Sequence, residues 1–351
     1  MIAEDVQSSI EMIRDSARGI VPHADRSRVR DLRFSDPGFD RNVWTQMCAM
    51  GWPALRLPED RGGVGLGVLA YCALVEELGR GLLPEPLVHA ALSSALLEGD
   101  ALEAHLSGAH LVLPAWQDSR DALGPQERLD LTAGRITATK RHVPMATGAD
   151  AFLVMGTDGA ALVSADAPGV AINSARTQDG GTMATVVFEN AEATPIDVDP
   201  SPALAEAALA TSAFLVGLMD AALELTVDYL KTRVQFGRTI GSFQILQHMA
   251  VDLKLETQVA RASIEDSALR WDRHGPTAET HAAVSRTKAR TSQAALKLTR
   301  DAIQLHGGIG FTDEHDIGLF LRKAIVVAAQ FGSAEAHRAN FARLKPLEKE
   351  S

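Results

Sequence analysis

The stretch RVQFGRTIGSFQ (Arg233–Gln244) separates two long apolar-periodic segments, and QLHGGIGF (Gln304–Phe311) ends the second of them. In the first stretch a helix ends near Arg233, a short irregular link follows, and a new helix begins near Phe243. That corner, with Arg233, Phe236, Phe243 and Gln244, offers a guanidinium, exposed backbone N–H groups and an amide side chain together. Arginine meets phosphate in a forked geometry and helix N-termini favour anions, so such a corner can hold a pyrophosphate. A surface arginine beside an ordinary helix–helix turn is the bland alternative. In the second stretch a long helix carrying Gln304 stops at Gly307 and Gly308, where missing side chains let a ligand lie against the backbone. A plain glycine C-cap explains the same pair, and both can be true.

Outward from these motifs the helices are long, over roughly 203–232, 243–273, 278–306 and 314–330. Gly237 to Ser242, Gly275-Pro276 and Gly307-Gly308 act as breaks. Four such helices with short links predict an antiparallel bundle. Between about 109 and 200 the texture differs. HLVLPAW, LDLTAGRITATKRHV, AFLVMGT, GAALVSA, GVAINSA and ATVVFEN are short runs separated by Gly, Asp and Asn, the pattern of a small antiparallel sheet domain or barrel. Residues 1 to about 105 read as helical. They include IEMIRDSARGIV, FDRNVWTQMCAMGW (entered through Asp36-Pro37-Gly38), VLAYCALVEELGRGLLPEP with Gly79 as a stop, and ALSSALLEG. The expected architecture is α+β and mostly α: an N-terminal helical domain (1–108), a middle β domain (109–200) and a C-terminal helical bundle (201–351).

The chain has 351 residues, 46% of them hydrophobic, enough for two or three packed domains. With 2 Tyr, 4 Trp and 11 Phe, the core must come mostly from Ala, Leu, Val and Ile, which favours helix. A net charge of −11 disfavours nucleic acid but leaves room for a phosphorylated ligand such as a CoA ester. Cys48 and Cys72 are too few for a disulfide framework, and His248, His306 and His315 lack metal spacing, so no metal is expected. No apolar run approaches the ~18–20 residues of a membrane span. The acidic, amphipathic N-terminus MIAEDVQSSIEMIRDSARG lacks the layout of a secretory signal. A cytoplasmic location is expected.

The order helix, sheet, bundle, together with GWPALRLPEDRGGVGLG, VEELGR, ITATKRHVPMATGADAFLVMGT, ELTVDYLKTRVQFGRTIGSFQILQHMAVDL and DAIQLHGGIGFTDEHDIGLFLRKA, resembles the acyl-CoA dehydrogenase family over nearly the whole chain. The resemblance implies FAD as cofactor. It implies that Arg233, Val234, Gln235, Phe236, Phe243 and Gln244, with Gln304, Gly307 and Gly308, reach across a subunit interface to the adenosine diphosphate end of a neighbour's flavin. It also implies losses. The family's Thr-Glu-Pro and small Gly/Ser-rich loop have no counterpart in LVLPAWQDSRDALGPQ. Where a hydroxyl normally faces the flavin ring stand His142, Val143 and Pro144, and proline can donate nothing there. The family's Arg near the middle of the last helix is matched by Arg322, which reads best as a salt-bridging bundle residue.

Dehydrogenating a thioester needs a carboxylate beside the α-carbon while the flavin takes hydride from the β-carbon. The resemblance places that base at one of two positions. The first is the corner after the last long helix, which here reads Gln330-Phe331-Gly332-Ser333, with Phe331 in the carboxylate's place. The second falls at Ala207, beside Glu206 and followed by Ala208. Glu206 is a weak candidate, since neighbours on a helix point about 100° apart and acidic residues are common in a first turn. Glu335 lies beyond the Gly332 break. The expectation is a subunit of a heterotetrameric (α2β2) acyl-CoA dehydrogenase of the kind acting on steroid side-chain CoA thioesters. A catalytic partner subunit would supply the base, and an electron-transfer acceptor would reoxidise the flavin. A self-sufficient homotetramer using Glu206, and a flavin-free scaffold, are the alternatives.

Overall fold

The computed structural model describes residues 4–21 and 23–345; the outermost residues of the expected first and third domains, and Pro22, lie outside it. The N-terminal third forms α1 (Glu4–Ile20), α2 (Ser27–Leu32), α3 (Arg41–Ala49), α4 (Val68–Arg80), α5 (Leu87–Leu96) and α6 (Gly99–Leu106). Local chemistry sets their ends. Asp40 caps α3 by accepting from the Asn42 N–H, and Gly51, at φ 71°, lets the chain turn away.

The middle of the chain forms β1 (Val112–Ala115), β2 (Asp130–Thr132), β3 (Arg135–Pro144), β4 (Ala151–Gly156), β5 (Gly159–Ser164), β6 (Val170–Arg176), β7 (Thr182–Glu192) and β8 (Thr194–Ile196). They make two four-stranded sheets, ordered β1-β4-β5-β8 and β2-β3-β7-β6. Phe152 of one sheet meets Phe188 of the other edge-on at 5.9 Å, both fully buried. The expected antiparallel sheet needs correction in one place, because β1 pairs with β4 in parallel. A bulge between Lys140 and Val143 throws His142 into the left-handed region at φ 55°.

The C-terminal part holds α7 (Ser201–Thr232), a hairpin of β9 (Val234–Gln235) and β10 (Arg238–Thr239), then α8 (Gln244–His274), α9 (Ala278–His306), α10 (Ile317–Ala329) and α11 (Ala334–Leu344). A Thr277–Thr280 capping box starts α9, and Gly275 and Gly307 end α8 and α9 at positive φ. The last expected helix begins three residues late, because the His315 ring accepts from the Ile317 N–H and fixes the start there. α11, opened by Ser333 accepting from the Ala336 N–H, is an element the sequence reading did not contain.

Two compact units group these elements: residues Met1–Ser27, Val68–Leu83 and Ala208–Ser351 in one, Arg28–Gly67 and Pro84–Ala207 in the other. Within the first, α4 and α7 cross at backbone contact. A Cβ on Gly79 would sit 2.0 Å from the Phe214 carbonyl oxygen, and one on Gly217 would sit 1.8 Å from that of Glu76. Gly79 therefore serves the crossing and does not stop α4, which continues to Arg80. The expectation that no segment is long and apolar enough to cross a membrane also needs revision. α7 and the α10–α11 stretch pass on length and composition, yet 89% of the α7 window is buried inside the protein, so its apolarity is spent on the core.

Candidate functional site

The residues expected to grip a cofactor sit on two exposed turns of the first unit. The chain leaves α7 at Arg233, whose N–H donates to the Tyr229 carbonyl at 2.8 Å, and turns through Phe236 (φ 53°) and Gly237 (φ 77°). Two successive positive φ angles give the tight hairpin twist, and Gln247 pins its return by donating to the Gly241 carbonyl at 2.8 Å. Arg233, Val234, Gln235, Phe236 and Gln244 are exposed, and Phe243 is half-buried. The Arg233 guanidinium has no partner among the described residues. Phe236 is 90% exposed, although a bulky side chain is uncommon in a left-handed conformation. Its ring meets Phe243 edge-on at 6.2 Å, and Arg238 lies over Phe243 at 4.1 Å. Arg238 is a member of this site that the sequence reading passed over.

On the second turn Gln304, Gly307 and Gly308 are all exposed, and the Gly307 N–H donates to the Gln304 carbonyl. A Cβ added at Gly307 or Gly308 would meet nothing within 4 Å. Open space over bare backbone suits a flat or extended ligand laid against it. Phe311, 75% exposed, closes this turn. The two turns lie at one end of their helices. Tyr229, one turn before Arg233, stacks on His306 with centroids 4.5 Å apart, and His306 immediately precedes Gly307. His315 adds a third ring, 4.5 Å from His306. Two of the three histidines that lack metal spacing in the sequence, His306 and His315, thus meet in the fold, although the described residues contain no group of three or more side chains that could hold a metal. Arg322 pairs with Asp313 at 3.0 Å, the structural role expected of it.

The positions expected for a base look different. Phe331 is 4% exposed at φ 55°, and its carbonyl accepts from His337 Nε2 at 2.8 Å. Lys288, fully buried, donates to the Val327 and Ala328 carbonyls at 3.2 and 3.3 Å, and Ser292 donates to Ala328 at 3.3 Å. The corner after α10 is therefore a sealed helix junction whose carbonyls are taken from below. Burial alone pushes the Lys288 amine down to about 7, and burial is the first cause that takes the His337 imidazole down to about 4. Glu206 is gripped by Arg56 in a forked pair, Nε to Oε2 and Nη2 to Oε1, both at 2.9 Å. A carboxylate so held has its lone pairs committed to the guanidinium.

In the second unit, the segment expected to have lost its flavin-ring loop is folded on itself. Asp118 forms a buried ion pair with Lys140 while accepting from the Gln126 and Glu127 N–H groups at 2.7 and 3.2 Å. His142 stands exposed on its bulge. Partial desolvation first, then Arg141 and Arg120, lower its imidazole from the ordinary value.

The chain is similar to known proteins along most of its length. Residues 201–344 match the acyl-CoA dehydrogenase C-terminal domain and residues 7–100 the N-terminal domain. The acyl-CoA dehydrogenase IpdE2 of Mycobacterium tuberculosis is 35% identical over 324 residues, spanning 90% of each chain. Among solved structures, the steroid ACAD Tcur3481-Tcur3483 superposes with a TM-score of 0.88 at 28% identity, covering 97% of this chain and 98% of that one. The ChsE4-ChsE5 complex from Mycobacterium tuberculosis has the same fold, with a TM-score of 0.83 and 23% identity, covering 98% of this chain and 97% of that one. The chain belongs to the acyl-CoA dehydrogenase family, FAD-dependent flavoproteins that oxidise a CH–CH bond.

Proposed function

We propose that this chain is the cofactor-closing subunit of a mixed acyl-CoA dehydrogenase. Its Arg233–Gln244 and Gln304–Phe311 turns would clasp the adenine and pyrophosphate end of an FAD whose ring and substrate carbon are served by a catalytic partner. In this reading the boundaries 1–108, 109–200 and 201–351 mark the family's three modules. The assembly is an α2β2 heterotetramer in the cytoplasm, acting on acyl-CoA thioesters of the steroid side-chain class and handing electrons to a separate acceptor. When bound, FAD supplies the hydride acceptor.

The observation that carries the reading is an asymmetry within one chain. The turns suited to a nucleotide tail are exposed, and open at Gly307 and Gly308. The places where a base would stand hold a buried phenyl ring and a carboxylate locked to Arg56. From this chain, Arg233 would hold the pyrophosphate, the Val234, Gln235 and Phe236 backbone and the Gln244 and Gln304 amides would orient it, and Phe236 and Phe243 would exclude water. A partner is further suggested by α8, whose exposed face carries Ile245, Val251, Leu255 and Val259 beside the hairpin. The substrate class leans on the steroid ACAD likeness, and the pairing of chains on the ChsE4-ChsE5 complex.

The test is purification alone and after co-expression with a homologue that keeps the carboxylate. The chain alone should be colourless and inactive, and the complex yellow and active. Arg233→Ala should weaken flavin retention by ~1.5–3 kcal/mol, the worth of a charge-assisted contact, or roughly 10- to 150-fold. A yellow, active homomer would instead favour the self-sufficient enzyme with Glu206 freed from Arg56. A complex whose flavin content ignores Arg233→Ala would favour the flavin-free scaffold.

A further inference from the structure

Three rings from three separate segments meet beneath the two nucleotide turns. Tyr229 lies in the last turn of α7, His306 is the final residue of α9, and His315 lies in the turn before α10. His306 stacks on Tyr229 at 4.5 Å with planes 24° apart, and His315 stands 4.5 Å from His306 and edge-on to Tyr229 at 5.9 Å. Hydrogen bonds fix the two imidazoles and the backbone beneath the phenol. His306 Nδ1 donates to the Ala302 carbonyl at 2.7 Å, His315 Nδ1 accepts from the Ile317 N–H at 3.1 Å, and the Tyr229 carbonyl accepts the Arg233 N–H at 2.8 Å.

His306 is 97% buried by its 3% exposure, yet its Nε2 has no hydrogen-bond partner. An orphaned buried nitrogen opposes folding, so burial alone does not account for an imidazole here. Placement does. Tyr229 lies one turn before Arg233 on α7, and His306 directly precedes Gly307 at the end of α9.

We infer that Tyr229, His306 and His315 form a ring clasp that sets the Arg233 turn and the Gly307–Gly308 turn at the spacing needed to address one diphosphate. This rests on the tail-binding reading given above. The three are positioning residues. Without the stack the ends of α7 and α9 would be free to fray independently, as helix termini do, and guanidinium and glycine backbone would no longer converge.

The test compares His306→Ala with His306→Phe, which keeps a ring in the stack, and uses Arg233→Ala as the control. Two quantities are read: FAD release from the flavin-loaded complex by recovery of flavin fluorescence, and backbone hydrogen exchange over residues 234–240 in the flavin-free chain. His306→Ala should speed release roughly tenfold, within the worth of an aromatic pair, and raise exchange in the hairpin, with the global melting temperature little changed. His306→Phe should return both to near the parent. Should His306→Ala fail to fold, His315→Ala at the half-buried edge of the cluster carries the same readouts. Unchanged exchange in the alanine variant overturns the clasp. If Arg233→Ala speeds release while His306→Ala does not, the clasp is wrong and the tail-binding reading survives. If neither affects release, that reading fails, and the clasp as a device for addressing a diphosphate falls with it.

Discussion

His337 reaches up from α11 to the Phe331 carbonyl through Nε2, while its Nδ1 lies 3.3 Å from the Ser285 hydroxyl. The donating Nε2–H leaves Nδ1 as the acceptor, so the ring is neutral as built. Burial first, opposed by the hydrogen bond to Phe331 and aided by the nearby Lys288 charge, lowers its pKa from 6.5 to about 4. Between those values the unfolded chain binds a proton that the folded chain refuses, so stability must fall as pH drops from 6.5 towards 4. The shift corresponds to about 3 kcal/mol. Urea midpoints measured across that window should decline more steeply for the parent than for His337→Gln, which cannot titrate; parallel slopes would contradict the assignment. At this scale the sequence was half legible. The Phe331 corner, where the resemblance implies a carboxylate, is visible in one line of text. The Arg56–Glu206 pair is not, because its members lie 150 residues apart and neither carries a mark of the other. The orphaned His306 nitrogen is likewise a property of packing and has no signature in the string.

The α4–α7 crossing shows the same boundary between local and distant information one level up. Gly79→Ala gains up to ~1 kcal/mol in helix propensity, but its Cβ would meet the Phe214 carbonyl at 2.0 Å, backbone against backbone, with no rotamer to relieve it. Overpacking of this kind costs ~1–3 kcal/mol, so the variant should be less stable by about 1–2 kcal/mol in urea unfolding. Once the helices are forced apart, a second Cβ at Gly217 meets less resistance, so Gly79→Ala with Gly217→Ala should cost less than the sum of the two. Strict additivity would mean the helices do not share one crossing. Glycine inside a helical pattern gives the same local signal whether it caps or crosses, which is why Gly79 read as a stop. Helix ends marked by real punctuation, such as Gly275-Pro276 and Gly307, were readable almost to the residue. The parallel β1–β4 pair was not, since pairing partners are chosen by the whole sheet. α11 escaped notice because AEAHRANFARL is too polar to show a clear apolar stripe.

Across the whole chain, a net charge of −11 sets copies of this protein to repel one another, yet α8 keeps a row of apolar side chains in water. Val251, Leu255 and Val259 follow one another at four-residue spacing, the repeat that places side chains on a single helical face. A stripe of that kind is costly to leave uncovered. The same helix begins at Gln244, directly after the hairpin proposed to hold a partner's flavin, so one partner surface would cover stripe and hairpin together. Leu255→Glu separates assembly from folding. The position is exposed, so the substitution should change the stability of the isolated chain by less than ~0.5 kcal/mol. In the assembled state it would bury an unpaired carboxylate, a penalty of several kcal/mol. Light scattering of the co-expressed pair should therefore fall from a four-chain mass to smaller species, while the circular dichroism of the chain alone stays as in the parent. Flavin retention should fall with it, because the tail would lose its clasp when the chains separate. If the variant assembles normally, the α8 face is not the seat of the partner, and the exposed hairpin tip at Phe236 must be engaged from another direction.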